Sequence, residues 1–206
     1  RKLQEASKVS GVDINIVWKP YLLRPNTPEE GLPKKGTTPS NRVPVRLRKA
    51  GESVGINFTG LADRTPNTIL FHAIMKMLLE NKIAQTPFQE QVFDAYFTKG
   101  IFPDRDALFE CAKRAGVEES VEHLLFEDPG QLQELRKEVM REAQDASYRG
   151  VSSVPFFEFN GDPAFSGAQE VQTFVKYLNH FAHQSPNQRE CCKSVMPQAR
   201  KSWLPP

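Results

Sequence analysis

The 206-residue chain predicts an α/β protein in which a helical block interrupts a smaller helix-and-strand unit. Three observations carry this. A helical pattern runs straight into an alternating one near the start; a proline- and glycine-rich stretch then gives way to a series of capped helical patterns. Finally, Gly150 to Gln169, reading GVSSVPFFEFNGDPAFSGAQ, has the grammar of a hairpin followed by a closing helix.

Arg1 to Ser10 places Leu3, Ala6 and Val9 three apart with Gly11 just beyond, which predicts a helix ending on a glycine cap. Val12 to Leu23 alternates, with Ile14, Ile16 and Trp18 on one face, and predicts a strand. Prolines 25, 28, 33, 39 and 44, with Gly31 and Gly36, then predict an irregular connection.

A short basic helix is expected from Arg42 to Gly51, and a turn or extended piece over Val54 to Phe58. Thr65-Pro66 predicts a helix start, with Ile69, Ala73, Ile74, Met77 and Leu78 as the buried stripe. Thr86-Pro87-Phe88-Gln89 repeats the device with Gln89 in the capping-box place, and its stripe is Val92, Phe93, Tyr96 and Phe97, up to Gly100. Asp104 opens a helix through Leu108, Cys111, Ala112 and Ala115 to Gly116. Val117 to Phe126 predicts another, and Asp128-Pro129-Gly130-Gln131 caps the longest, with Leu132, Leu135, Val139, Ala143 and Ala146 facing inward.

In the hairpin, Val154-Pro155 heads the strand Phe156 to Phe159, Asn160-Gly161 is the turn, and Ala164 to Gly167 returns. Val171, Phe174, Val175, Leu178 and Phe181 form the stripe of the closing helix, and the polar, proline-bearing residues 185–206 are expected to be a disordered tail.

Composition narrows function mainly by exclusion. Hydrophobic content of 39% and charged content of 25% suit a globular protein, and no segment has the roughly 18 apolar residues of a membrane helix. Residues 1–50 hold 11 Lys/Arg against 4 Asp/Glu, residues 51–184 hold 12 against 20, and residues 185–206 hold 4 against 1. The basic residues lie in proline-rich segments without interleaved aromatics, so no nucleic-acid partner is expected. Cys111, Cys191 and Cys192 form no C-x-x-C or zinc-ligand spacing; the first sits on a helix stripe as a packed thiol. His180 and His183 share a helix face without an evident third ligand, and His72 lies in an apolar stretch, so these are expected to be surface or packed histidines, and no metal is expected. Cysteine usage suits a cytoplasmic protein.

Trp18-Lys19-Pro20-Tyr21-Leu22-Leu23-Arg24-Pro25, Arg64-Thr65-Pro66-Asn67-Thr68 and Gly150 to Gln169 together resemble the DsbA family, and within it the FrnE-like, polyketide-synthesis-associated branch. The resemblance implies a thioredoxin-like fold with an inserted all-helical domain. Residues 1–24 and 147–184 would form the thioredoxin-like part, and 25–146 the connection and insertion. It implies thiol-disulfide oxidoreductase activity on extended or unfolded polypeptides, without a bound cofactor. Pro155 would be the cis-proline facing the dithiol, and Val154 would offer its backbone to substrate.

The family's C-x-x-C and the strand before it have no counterpart in these residues. The chain is therefore expected to be a fragment whose first strand is missing, with unpaired edges that favour aggregation or a homodimer. Two alternatives stand beside this reading: a redox-inactive thioredoxin-like binding module, and a glutathione-dependent isomerase or transferase of the related kappa-class type.

Overall fold

A computed structural model describes residues 1–34 and 43–182. Pro39, Gly36, His183, Cys191, Cys192 and the expected tail lie outside the described residues. Two compact units emerge, one from Arg1–Ile14 with Pro155 onward, the other from Asn15–Val154.

In the first unit, α1 (Lys2–Ser10) ends at Gly11, whose φ of 68° is the left-handed geometry that a glycine adopts without strain. It packs on α8 (Val171–Ala182) through Ala6, Phe174 and Leu178, all buried. Strands β3 (Phe156–Phe159) and β4 (Asp162–Ser166) pair antiparallel around Asn160 and Gly161, at φ 53° and 88°. Two positive φ values in succession define the type I′ turn, which matches strand twist and selects Asn-Gly. The ladder slips by one residue between Phe157 and Glu158, so the return strand begins at Asp162, earlier than the alternation alone predicts. Phe157, Phe159, Phe165, Phe174 and Tyr177 then form a chain of ring contacts at centroid separations of 4.9 to 5.6 Å.

The second unit is mostly helical. After β1 (Leu32–Pro33) come α2 (Val45–Glu52), β2 (Arg64–Thr65), α3 (Ile69–Glu80) and α4 (Gln85–Phe93). A one-turn π stretch, Asp94–Thr98, continues α4; α5 (Arg105–Ala115) and α6 (Glu118–Glu122) follow, a second π turn, His123–Glu127, ends α6, and α7 (Pro129–Tyr148) closes the unit. The expected caps of α5 and α7 form, since Asp104 accepts from the Ala107 N–H and Asp128 from the Gln131 N–H at 2.9 and 2.8 Å. All five expected residues of the α7 stripe are buried. They join Ile74, Leu78, Phe88, Leu108, Val121 and Leu124 in the core.

Five expectations need correction. Val12 to Leu23 joins no strand ladder among the described residues, although its side chains alternate between half-buried and exposed from Val12 to Lys19 as a strand's would. The side-chain amide of Gln85 takes the place of a neighbouring strand at Trp18. It accepts from the Trp18 N–H at 2.8 Å and donates to the Trp18 carbonyl at 3.2 Å. The connection expected to be irregular contains β1, which pairs with β2, Leu32 opposite Thr65.

That pairing draws Thr65 away from capping. Helix α3 starts at Ile69, and Asn67 accepts its first free N–H at 2.9 Å. Helix α4 starts at Gln85, which puts Thr86 inside its first turn, where its hydroxyl accepts from the Trp18 indole at 3.1 Å; Gln89 is not part of a capping box. The π turn at Asp94–Thr98 inserts one residue into the helical repeat, so Ala95 is buried while Phe93 and Phe97 are 45% and 39% exposed.

Candidate functional site

The loop between α7 and β3 is tethered at each end and open in its middle. Helix α7 terminates at Arg149 and Gly150, and the Val151 N–H donates to the Ala146 carbonyl at 3.1 Å. Val151 is buried, and its carbonyl accepts from the Tyr21 hydroxyl at 2.9 Å. At the other end, the Pro155 carbonyl accepts from the Gly167 N–H at 2.7 Å, one step beyond the Phe156 to Ser166 pair of the hairpin.

Ser152, Ser153 and Val154 lie between these tethers in sequence and are exposed. Val154 is 41% exposed, and neither its N–H nor its C=O makes a hydrogen bond among the described residues. An open N–H and C=O on one exposed residue are what an incoming strand pairs with, independent of its side chains. Val154 and Pro155 thus sit at adjacent positions with different duties: the first has free backbone groups, while the carbonyl of the second is spent on the hairpin.

No described thiol is suited to exchange chemistry. Cys111 is 2% exposed on α5, among the core residues. Burial pushes its thiol above the ordinary cysteine value, against the weaker pull of Arg114 and Lys99, so it is held as a thiol and not a thiolate. Among the described residues no group of three or more His, Cys, Asp and Glu could hold a metal ion, and His180 is exposed on α8. No helix among the described residues is long and apolar enough to cross a membrane.

A second concentration of polar groups lies within the helical unit. His72 on α3 is half-buried and bonded to the Tyr21 main chain; loss of hydration lowers its pKa to about 4, so the imidazole is neutral at pH 7. Lys76, one turn further on, contacts Glu80, Glu138 and Glu142 at 3.2, 3.1 and 2.7 Å. Burial opposes its charge, but the three carboxylates outweigh that and hold its pKa above the usual lysine value. Sequence reasoning passed over Gln85 and gave Gln89 only a capping role, because a glutamine near a helix start reads equally well as a cap.

These features define a protein of the thioredoxin-like class, α/β with a helical insertion and a proline loop at the head of the hairpin. The pattern of the DSBA-like thioredoxin domain matches residues 1–179, and the chain belongs to that family. Its fold is similar to the crystal structure of a probable DsbA oxidoreductase from Streptomyces coelicolor, with a TM-score of 0.71 at 20% identity. The match covers 90% of this chain and 84% of the other. No curated protein matches the chain.

Proposed function

We propose that this chain is the substrate-gripping body of a thiol-disulfide oxidoreductase of the FrnE-like branch, acting on extended polypeptide thiols or disulfides. This reading requires a redox dithiol, which no thiol among the described residues supplies. The observation that carries this is Val154, exposed and with both backbone groups unpaired among the described residues, directly before Pro155 at the head of the hairpin. A substrate strand would pair with Val154 while its cysteine exchanges with the dithiol. One substrate thiolate attacks the protein disulfide, the second resolves the mixed disulfide, and two electrons pass to the protein pair. Pro155, in the cis form, would hold the Val154 groups outward. The lack of a ladder partner for Val12 to Leu23 among the described residues supports the same reading, since a strand beside it would carry the chain to the dithiol.

The buried state of Cys111 also favours a second reading, a redox-inactive module that retains the proline loop for binding. The gene sequence upstream of Arg1 and an insulin-reduction assay on the full-length product separate the two. A C-x-x-C with activity that falls at least about tenfold in Pro155→Ala is expected. An upstream stop codon with no cysteine-bearing strand would refute the oxidoreductase reading. A serine at the first cysteine position, with retention on a glutathione column, would replace it with the glutathione-dependent one.

A further inference from the structure

A cleft of about 90 Å³ opens within the helical unit, independent of the proline loop. Trp18, Pro20, Phe71, Met75 and Phe93 give it apolar walls; His72 and Gln89 line it as well, with Lys19 and the ion-paired Lys76 and Glu142. Gln89 is the informative one. It is 6% exposed, yet its side-chain amide makes no hydrogen bond among the described residues. Gln85, one turn earlier and just as buried, makes three. No Gln89 atom is among the enclosed side-chain atoms without a partner in the described residues, so the amide is reached from the cleft and presents an N–H₂ donor and a carbonyl acceptor to whatever enters.

His72 complements it. The neutral ring carries one N–H donor and one lone-pair acceptor. Lys76 is saturated by its three carboxylates, and Lys19 at the mouth is exposed, so no desolvated cation waits inside for an anionic guest. The lining thus asks for a neutral, flat, apolar group bearing one hydrogen-bonding edge that both donates and accepts. Phe71 and Phe93, with ring centroids 6.2 Å apart, offer the ring edges and faces against which an aromatic guest packs.

We propose that this cleft is a binding site for a phenolic ring, with the ring against Phe71, Phe93 and Trp18 and the hydroxyl shared between Gln89 and His72. Size agrees with one ring. A closed apolar cavity of about 150 Å³ takes up benzene; this cleft is smaller but open beside Phe93, so the outer edge of the ring stays in solvent. The phenol could be a free small molecule or a tyrosine side chain of a polypeptide, and the two sources share this chemistry.

The test titrates the full chain with p-cresol and with toluene, following the Trp18 indole N–H signal by NMR, assigned with Trp203→Phe. Binding of p-cresol about tenfold tighter than toluene is expected, because only the phenol hydrogen-bonds the cleft-facing amide. Gln89→Leu should erase that preference while leaving toluene binding intact. Equal binding of the two compounds by the unaltered chain, no binding of either, or a preference that survives Gln89→Leu in a folded variant would each overturn the proposal. Acetylated, amidated Gly-Tyr-Gly and Gly-Phe-Gly peptides identify the source. A tyrosine peptide that binds at least as tightly as p-cresol identifies a polypeptide ligand, and binding of p-cresol alone identifies a free phenol. A preference for the phenylalanine peptide refutes the site. None of these readouts involves thiol exchange, so their failure is distinct from failure of the oxidoreductase reading.

Discussion

Replacing Gln85 with methionine isolates the side chain that stands in for a β-strand. Methionine has nearly the same length and fills the same space, so the change removes hydrogen bonds with little change in packing. Three are lost: from the Trp18 N–H at 2.8 Å, to the Trp18 carbonyl at 3.2 Å, and to the Met75 carbonyl at 2.8 Å. They do not weigh equally. Met75 lies inside α3, where its carbonyl retains a helical partner, and a carbonyl left with one bond costs little. The Trp18 N–H and C=O have no other partner among the described residues, and each orphaned buried group costs about 1–3 kcal/mol. The expected loss is therefore about 2–6 kcal/mol for the helical unit. Thr86 still holds the Trp18 indole, so the ring remains docked while its backbone loosens.

Urea unfolding followed by tryptophan fluorescence in a Trp203→Phe background measures the loss at Trp18 itself, because the chain has two tryptophans. Hydrogen exchange at the Trp18 amide should accelerate in parallel. A loss under about 1 kcal/mol with unchanged exchange would mean that solvent satisfies the segment equally well, and the view of Gln85 as a surrogate strand would be wrong.

Two further outcomes follow from the same geometry. The His72 pKa is lowered to about 4 in the folded chain, against 6.5 for a free ring, so the unfolded chain binds the extra proton between those values; its contribution is complete above pH 6.5 and is lost as pH falls toward 4. That is at most about 3 kcal/mol, visible as an acid-side slope in urea midpoints that His72→Asn should flatten; an unchanged slope would refute it. Gly31 has φ 76°, and an added Cβ would lie 2.7 Å from the Thr65 carbonyl oxygen and 2.8 Å from the Phe102 ring, whereas Gly116, at φ 70°, has open space around it. Gly31→Ala should cost about 1–3 kcal/mol more than Gly116→Ala, because overpacking adds to the same backbone strain, and equal unfolding midpoints would contradict this.

Much of the architecture was legible because it is local. The α7 stripe, the Asp104 and Asp128 caps and the Asn160-Gly161 turn each depend on residues within a few positions of one another, and each forms where the pattern places it. The strand that follows Val154-Pro155 was legible for the same reason, and β3 spans Phe156–Phe159 as its pattern predicts. The starts of α3 and α4 were not, because Thr65 and Thr86 are claimed by Leu32 and Trp18, partners far away in sequence.

By itself, then, the sequence determined the period of most helices, the Asp104 and Asp128 caps and the Asn160-Gly161 turn, and through them the α/β order with its helical insertion. Only the tertiary structure decided where the polar groups went. Gln85 and Gln89 are the same residue type on the same helix, one turn apart and equally buried. One closes three hydrogen bonds around Trp18 and the other faces a cleft with none among the described residues, because a side-chain amide bonds to whatever the fold brings within about 3 Å, and no local pattern encodes that neighbour.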